Sequence, residues 1–232
     1  MSLISFVIPA YNEAKGIAQT IKSIPVLELN KMGFETEIVV VDNNSTDDTS
    51  KIAKISGAEV IFEKKPGYGA AYKAGINFSK GEIVVTGDGD GTYPFGRSAE
   101  LIKQLISGNL DFITTNRFSS GYLDLATMPI INRLGNKFLT FIFYLLYRIP
   151  LKDSQSGMWV FKKVIWRDMH IKSDQMAFSQ ELKVEAIFYN KINWAEIDIP
   201  YYERLGAKKL RMIYNGLDNT INLFKKRISR HA

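Results

Sequence analysis

The sequence predicts an α/β protein in which a mostly parallel sheet is covered by helices on both faces. Short apolar runs alternate with segments of helical periodicity through the first half of the chain. Polar and glycine residues follow directly after several of these apolar runs. The length of 232 residues, with 46% apolar and 23% charged residues, is sufficient for one sizeable core. Such alternation is typical of parallel sheets buried on both sides.

Five strands and four helices are predicted in the first half. The strands are Leu3–Ile8, Glu37–Val41, Glu59–Phe62, Glu82–Thr86 and Asp111–Thr115. The helices between them are Glu13–Ile24, Thr46–Ser56, Tyr68–Phe78 and Arg97–Ser107. Ligands of such sheets bind outside the carboxyl ends of the strands. The residues that follow the strands are therefore the first candidates for a site.

The second half is less regular. The predicted elements are a strongly apolar helix at Ile130–Tyr147, a strand at Gly157–Phe161, a helix at Phe178–Tyr189, a strand at Ala195–Ile199 and a helix from Leu210 onward. Apolar residues recur with a helical period in the last of these, at 213, 214, 217, 221, 224 and 228. Basic residues flank this stripe, which makes the helix amphipathic.

Composition excludes several kinds of site. The chain has no Cys, which rules out disulfides, zinc-thiolate sites and thiol nucleophiles. With only two His, His170 and His231, the sequence disfavours a histidine metal site and a Ser-His-Asp triad. No basic leader precedes the first strand, and no apolar run reaches 18 residues, so we expect neither a secretory signal nor a membrane-spanning helix.

Charge is unevenly distributed along the chain. Residues 1–117 hold 12 basic and 14 acidic residues, whereas residues 118–232 hold 18 basic and 10 acidic ones. The second half is therefore expected to meet something anionic, such as a phosphorylated lipid, an anionic membrane surface or nucleic acid.

Two carboxylates one residue apart follow the strand Glu82–Thr86. Asp88 and Asp90 lie in the run Gly-Asp-Gly-Asp-Gly-Thr, where glycines allow a tight turn. Such a pair can converge on Mg²⁺ or Mn²⁺, which take oxygen ligands and share them with substrate phosphates. The bound cation would neutralise a diphosphate leaving group. The alternative is a solvated Asp-Gly turn with no ligand.

A second alternative is a phosphatase of the haloacid-dehalogenase type, in which the same motif supplies a nucleophilic Asp. That motif normally opens its domain, whereas three predicted strands precede it here. It also needs a later acidic pair after a strand, and Glu196 and Asp198 lie inside a predicted strand instead. This alternative is therefore remote.

Other strand ends carry residues suited to a nucleotide. Pro9–Glu13 follows the first strand, and Asp42 ends the second, where a carboxylate can accept hydrogen bonds from a ribose or a base edge. Thr46 and Asp47 are interpreted as helix-capping residues. The run Gly67-Tyr68-Gly69 lacks the third glycine of a dinucleotide fingerprint, which argues against an NAD enzyme.

In order along the chain, these motifs resemble family 2 inverting glycosyltransferases of GT-A fold. More closely, the sequence is similar to the dolichyl-phosphate mannose synthase group of polyprenyl-phosphate glycosyltransferases. The motifs that carry the resemblance are Pro9–Glu13, Asp42 with Ser45–Asp47, Gly67–Gly75, Asp88–Asp90, Asn116-Arg117, Asp153–Gly157 and Arg204–Lys209. The resemblance covers roughly residues 3–210 and implies one catalytic domain over residues 1–232. Its parts would be a nucleotide-binding half (1–117), an acceptor-binding half (118–210) and a basic amphipathic helix (211–232).

The resemblance also implies roles for single residues. It makes Asp88, Asp90 and Thr92 the ligands of Mg²⁺ or Mn²⁺, although Thr92 stands where the group often has Gln. It makes Asp90, Arg117 and Arg204 catalytic, with the two arginines meeting phosphates. The residues implied to bind the nucleotide sugar are Pro9, Tyr11, Asn12, Glu13, Asp42, Asn44, Lys65, Gly69, Asp88, Gly89 and Lys209. Asp153 is expected either to orient the site or to cap a helix.

The implied reaction transfers a hexose, with inversion, from GDP-mannose, UDP-glucose or UDP-N-acetylglucosamine to a polyprenyl phosphate. An acceptor phosphate is already an anionic nucleophile, so catalysis would rest on positioning and electrostatics. A soluble or glycan acceptor with a hydroxyl nucleophile would instead need a carboxylate base. Glu181 is the candidate for that case, although an ordinary helix-surface role is favoured for it.

Two segments indicate a membrane surface as a partner. Ile130–Tyr147 and Leu210–Arg230 each join an apolar face to basic residues, as interfacial helices do. We therefore expect a cytoplasmic protein that lies on the inner face of the cell membrane, with a membrane-protein partner or a homo-oligomer as a further option. The alternative is that both helices complete the core or a dimer interface. Nucleic acid is not expected as a partner, because RNA binding through residues 204–230 would leave Asp88 and Asp90 unexplained.

Overall fold

The computed structural model describes residues 2–119, 127–206 and 212–229. Seven strands form one sheet: β1 (Ser2–Ala10), β2 (Phe34–Asp42), β3 (Glu59–Phe62), β4 (Ile83–Thr86), β5 (Phe112–Asn116), β6 (Trp159–Lys162) and β7 (Trp194–Asp198). The α-helices are α1 (Ile17–Lys22), α2 (Val26–Lys31), α3 (Thr49–Ile55), α4 (Tyr68–Phe78), α5 (Ser98–Ser107), α6 (Ile130–Tyr147), α7 (Phe178–Lys183) and α8 (Met212–Ser229). The predicted alternation of strands and helices in the first half is confirmed.

The sheet has the order β3-β2-β1-β4-β6-β5-β7 and is mostly parallel, as predicted. Only β6 runs against its neighbours, and it lies between β4 and β5. The chain moves outward from β1 to β2 and β3 and then returns to place β4 on the other side of β1. The strand order therefore reverses between β1 and β4, and a ligand crevice is expected outside their carboxyl ends.

Both faces of the sheet are covered by core. Along β1, Ile4, Phe6 and Ile8 pack on one side, and Val7 packs on the other with Val39 of β2. Because both faces are buried, the strands read as continuous apolar runs rather than as alternating patterns.

Several predicted bounds differ from the structure; β2, for example, begins at Phe34 and α3 at Thr49, where the predictions were Glu37 and Thr46. The first helix begins at Ile17 rather than at Glu13, and the N–H groups of Glu13 and Ala14 donate to side chains near the start of α3. The segment Val26–Lys31 is helical and was not predicted. The predicted strand at Gly157 begins only at Trp159, because the Gly157 N–H donates to the Tyr93 hydroxyl at 2.6 Å and not to a neighbouring strand.

The helices α6 and α8 pack against each other and against the body of the protein. α6 buries Leu139, Phe143 and Tyr147, and α8 buries Leu223. The Tyr147 hydroxyl donates to the Leu223 carbonyl at 2.8 Å, which fixes one helix to the other. Within the described ranges, no helix is long and apolar enough to cross a membrane.

Two basic residues that were expected to flank these helices are buried instead. Arg133 is 9% exposed and donates from Nε to the Met128 carbonyl, in the segment just before α6. Lys226 is 8% exposed and pairs with Glu181 and Glu185 of the neighbouring helical segment. A buried cation requires a hydrogen-bond or ion-pair partner, and the partners of Arg133 and Lys226 lie inside the protein.

Candidate active site

The two predicted metal ligands lie on the loop that follows β4, at the point where the strand order reverses. Gly91 has a positive φ of 80°, which lets this loop turn sharply. Gly16 lies against the same loop, since a Cβ on it would be 3.0 Å from the Asp90 Cα. Sequence reasoning missed Gly16, because its requirement comes from a contact and not from a local pattern.

Asp90 is almost fully buried and has partners at both carboxylate oxygens. Its Oδ1 accepts the Thr92 N–H at 3.0 Å and the Thr92 hydroxyl at 2.6 Å. Its Oδ2 forms an ion pair with Arg204, whose Nη2 is 2.6 Å away. The Thr92 hydroxyl therefore holds Asp90 in place. A direct contact between Thr92 and a cation stays a prediction.

Asp88 is partly exposed, and the pKa of its carboxyl is raised by burial and by the neighbouring Asp90. Burial raises the pKa of its carboxyl, and the charge of Asp90 raises it further, to about 7. Arg204 and Arg117 act in the opposite direction. Two carboxylates that disfavour each other's ionisation in a partly buried site are well suited to a shared cation.

The donors of this site fit Mg²⁺ or Mn²⁺ in type. Asp88 and Asp90 offer carboxylate oxygens, the ligands that hard divalent cations prefer. Among the described residues, however, no group of three or more His, Asp or Glu is arranged to hold a metal ion. The rest of a coordination shell would have to come from substrate oxygens and water, as is usual for Mg²⁺ bound with a diphosphate.

The segment 201–206 lies directly over the metal loop. The Tyr202 N–H donates to the Thr92 carbonyl at 3.0 Å, and the Leu205 N–H donates to the Asp90 carbonyl at 2.9 Å. These two bonds place Arg204 between Asp90 and Glu13, whose Oε1 is 3.6 Å from Arg204 Nη1. The structure thus brings Arg204 to the predicted metal ligands. Lys209, the other predicted phosphate contact of this segment, lies outside the described residues.

A polar cluster occupies the carboxyl ends of β1 and β2. The side-chain oxygen of Asn12 accepts the Thr46 N–H at 2.7 Å, and Asp42 accepts the Ser45 N–H at 2.9 Å. Tyr11 stands beside Asn12 and is 46% exposed. This brings the predicted nucleotide residues of the first two strands together at one edge. Asp47 accepts the N–H of Thr49, the first residue of α3, at 3.0 Å, but the N-cap position itself is occupied by Asp48.

The buried Asn43 was missed by sequence reasoning. Its side-chain amide donates to the carbonyls of Glu63 and Lys65, and its carbonyl oxygen accepts the Gly67 N–H at 2.7 Å. The neighbouring Asn44 donates to carbonyls of the same loop. These contacts fix the loop between β3 and α4 beside the polar cluster.

Lys65 and Gly69 lie where this loop meets the segment 172–176. Lys65 is mostly exposed and pairs with Asp174, which also pairs with Lys73. A Cβ on Gly69 would be 2.6 Å from the Ser173 carbonyl oxygen, so only glycine fits there. Nothing in the local sequence pattern pointed to Asp174.

Arg117 is turned inward, toward Asp153. Its Nε lies 2.7 Å from Asp153 Oδ2, and its Nη2 lies 3.0 Å from Oδ1. Its guanidinium also lies over the ring of Tyr201, 5.1 Å from the centroid. The side of Arg117 that pairs with carboxylates is therefore occupied by Asp153. That Asp153 orients the site stays a prediction. A direct phosphate contact of Arg117 stays a prediction.

The loop 153–157 that contains Asp153 is held from several directions. Lys183 is fully buried and donates to the carbonyls of Ser154 and Ser156, at 2.7 and 2.8 Å. From α8, Asn219 donates to the Gln155 side chain at 2.8 Å. Gly157 packs against the Tyr68 hydroxyl, which would lie 2.3 Å from an added Cβ. Lys183 and Asn219 carried no signal in the sequence.

Two alternatives from the sequence are not supported. Glu181 is buried and accepts from Lys226 and from the N–H groups of Lys172 and Ser173, so it serves the contact between α7 and α8 and is not a helix-surface residue. Glu196 and Asp198 lie within β7. Glu196 accepts the N–H groups of residues 152 and 153, and Asp198 accepts from Asn116. They therefore do not complete the metal site of a haloacid-dehalogenase-type phosphatase.

Comparisons with known proteins give a family match and several similar proteins. The family model described as glycosyl transferase family 2 matches residues 5–169. Agl6, a low-salt glycan biosynthesis hexosyltransferase of Haloferax volcanii, is 33% identical over 92% of this chain, which spans only 51% of that relative. A dolichyl-phosphate hexose transferase of the same organism is 30% identical over 89% of this chain and 86% of its own length.

A solved structure shows the same fold. Glucosyl-3-phosphoglycerate synthase from Mycobacterium tuberculosis, in complex with Mn²⁺, UDP and phosphoglyceric acid, superposes with a TM-score of 0.77. The match covers 97% of this chain and 78% of the other, at 20% sequence identity. At that identity the likeness concerns the fold alone.

Proposed function

The chain belongs to glycosyl transferase family 2, and we propose that it transfers a hexose from a nucleotide sugar to a polyprenyl phosphate with inversion at the anomeric carbon. It is a glycosyltransferase with the GT-A fold and a nucleotide-sugar donor. The acceptor, the metal dependence and the roles of single residues are the content of the proposal.

The observation that carries the proposal is the grouping of Asp88, Asp90 and Arg204 at the reversal of strand order. A nucleotide sugar presents a diphosphate, and this group offers two carboxylates for a cation and a guanidinium for phosphate oxygens. A divalent cation in this site would neutralise the charge that develops on the leaving diphosphate. Arg204 would add a bidentate contact to the same group.

The nucleoside part of the donor is proposed to bind along the polar cluster of β1 and β2. Asp42, Asn12 and Asn44 lie at that edge, and Tyr11 offers an exposed ring beside them. Gly89 lies against Pro9, whose carbonyl oxygen would be 3.4 Å from an added Cβ, and Glu13 lies beside Arg204. Each oxygen of Asp42 already accepts one hydrogen bond and retains a second lone pair for a ribose hydroxyl.

A phosphate acceptor suits this arrangement. An ionised phosphate oxygen can attack the anomeric carbon without a strong base, so the protein must mainly hold the two substrates in line. Glu181, the candidate base for a hydroxyl acceptor, forms an ion pair with Lys226. The dolichyl-phosphate hexose transferase that this chain resembles over most of both lengths supports a lipid phosphate as acceptor.

The surface formed by α6 and α8 is proposed to rest on the cytoplasmic face of a membrane. Both helices expose large apolar side chains along one stripe: Ile130, Ile131, Leu134, Phe138, Phe141 and Leu145 on α6, and Leu217, Ile221, Phe224 and Ile228 on α8. The exposed Lys137, Arg148 and Lys225 lie among them. Apolar stripes with basic neighbours are typical of helices at an anionic membrane interface.

A transfer assay tests the proposal. The full chain is incubated with a radiolabelled nucleotide sugar, Mg²⁺ or Mn²⁺ and a polyprenyl phosphate, and label in the organic extract is counted. We expect lipid-linked label that EDTA abolishes and that Asp88→Asn and Asp90→Asn reduce by at least about a hundredfold. Asp111→Asn, a carboxylate outside the site, should keep activity. The proposal fails if no UDP- or GDP-linked hexose gives extractable label, or if label reaches only a soluble acceptor.

The donor is selected by a separate measurement. A ligand that binds only the folded state raises the melting temperature by mass action. UDP-glucose, UDP-N-acetylglucosamine and GDP-mannose are compared with Mn²⁺ present, and the true donor should give the largest increase. The donor assignment is contradicted if none of them raises it beyond the effect of Mn²⁺ alone.

A further inference from the structure

We propose that Arg204 competes with the divalent cation for Asp90 and so makes cation binding conditional on the diphosphate of the donor. This inference rests on the metal site proposed above. It concerns the order in which the cation and the nucleotide enter that site. Its test distinguishes a failure of the metal site from a failure of the competition.

The competition follows from how Asp90 is bonded. Its Oδ1 already accepts two hydrogen bonds from Thr92, through the N–H and the hydroxyl. Its Oδ2 is the oxygen that remains for a cation, and Arg204 Nη2 lies 2.6 Å from it. The Asp90 side chain is only 1% exposed, so water does not weaken this contact much. A cation that reaches Oδ2 must displace the guanidinium or share the oxygen with it.

The protein alone offers little to compensate that displacement. Asp88 and Asp90 provide two carboxylates at the predicted metal position, and no cluster of three such ligands occurs among the described residues. Arg204 would keep its longer contact with Glu13, in which Nη1 lies 3.6 Å from Oε1. A guanidinium that has lost Asp90 would therefore stand beside a divalent cation after losing its shorter ion pair.

A bound diphosphate compensates for the loss of the ion pair between Arg204 and Asp90. It supplies oxygen ligands to the cation, and it offers Arg204 a planar, bidentate partner in place of Asp90. Main-chain bonds of Tyr202 and Leu205 hold the segment to the metal loop, so the proposed exchange concerns the side chain of Arg204 and not the backbone. Arg204 is 20% exposed, so it already faces the open side of the site.

The expected signature is a reciprocal coupling between the two ligands. Mn²⁺ should bind the wild-type chain weakly alone and at least about tenfold more tightly with UDP or GDP present. The affinity for the nucleotide should rise by the same factor when Mn²⁺ is present. Arg204→Gln removes the competitor. It should bind Mn²⁺ alone about tenfold more tightly than wild type, and the coupling to the nucleotide should shrink.

The measurement is Mn²⁺ binding to the full chain, followed by the electron paramagnetic resonance of free Mn²⁺ with and without nucleoside diphosphate. Arg97→Gln is the matched control, because Arg97 pairs with Glu100 on the surface, and it should match wild type. Arg204→Lys keeps a cation at the site and should tighten Mn²⁺ binding less than Arg204→Gln does. Thermal melting confirms that each variant is folded.

The outcomes separate the two proposals. If Asp90→Asn binds Mn²⁺ as wild type does, the metal site itself is wrong. If Asp90→Asn loses Mn²⁺ but Arg204→Gln binds it no more tightly than wild type, the competition alone is overturned. Tighter binding by Arg204→Gln together with reduced coupling supports it.

Discussion

Arg117 and Asp153 form a buried two-point ion pair, in which Nε lies 2.7 Å from Oδ2 and Nη2 lies 3.0 Å from Oδ1. The Arg117 N–H donates to the same carboxylate at 3.2 Å. Burial by itself would raise the pKa of Asp153, but the charge and hydrogen bonds of Arg117 outweigh it and lower the pKa below its ordinary value. The pair therefore joins the end of β5 to the loop 153–157 beside the site.

Asp153→Asn is predicted to destabilise the protein strongly. The amide keeps the shape but leaves the Arg117 cation buried without a counter-charge, which typically costs about 3–5 kcal/mol. Urea unfolding at neutral pH measures the loss. Asp111→Asn is the control, because Asp111 pairs with Lys162 at a part-exposed position, where the loss should stay below about 1 kcal/mol. Equal losses in the two variants would contradict the prediction.

Metal binding is predicted to weaken as the pH falls below about 7. Burial, followed by the charge of Asp90, raises the pKa of Asp88 to about 7, so protons compete with the cation below that pH. Titration of the Asp88 carboxyl carbon by NMR in metal-free protein should show this raised value. Asp90→Asn should lower it, because the neighbouring charge is removed. Titration near the ordinary value of 3.8 would contradict the prediction.

Stability is predicted to rise between pH 7 and about 10 because of Lys183. Burial lowers the pKa of this lysine from 10.5 to about 7, so over this range the unfolded chain binds a proton that the folded protein does not. The free energy of unfolding therefore increases with pH, by something on the order of 3 kcal/mol from this group. Lys183→Met should remove that increase in urea titrations at pH 7, 8 and 9.5. Lys152→Met, at an exposed lysine, should leave it unchanged.

The regular elements could be predicted where the sequence marks both ends. The predicted bounds of β3, α4 and α6 agree with the structure, because glycine, proline or serine lies at or near their ends. The start of α1 could not be predicted. The segment before it is held by hydrogen bonds from Glu13 and Ala14 to residues near α3, and these bonds have no local pattern.

In the site, too, residues of a local motif could be predicted, whereas residues that act through distant partners could not. Asp88 and Asp90 form a local motif that could be read directly, together with its position after a strand. Arg204 was identified by resemblance, but its contact with Asp90 depends on how β7 returns to the sheet beside β5. Asn43, Lys183 and Asp174 act through partners distant in sequence, so their roles required the folded structure.

Gly157→Ala is predicted to lower both stability and transfer activity. An added Cβ would lie 2.3 Å from the Tyr68 hydroxyl, so the loop 153–157 or the ring would have to shift beside Asp88. The cost should fall in the range of about 1–3 kcal/mol that is typical of overpacking. Gly135→Ala is the control. Nothing lies within 4 Å of its added Cβ, and in the middle of α6 the change should stabilise by about 0.5–1 kcal/mol. A neutral Gly157→Ala would show that the loop is not constrained there.

Vesicle binding is predicted to depend on the apolar stripe of α6 and α8. Phe138 and Phe224 are 61% and 47% exposed, and replacing either with Glu removes apolar area and adds a charge that an anionic surface repels. Burying a Phe side chain is worth about 1.5–3 kcal/mol, so each change should reduce binding at least about tenfold. Sedimentation with vesicles containing phosphatidylglycerol measures the bound fraction. Val164→Glu, at an equally exposed apolar residue outside these helices, should bind as wild type does. If Val164→Glu loses as much binding as Phe138→Glu, or if wild type does not bind the vesicles, the surface of α6 and α8 is not the membrane contact.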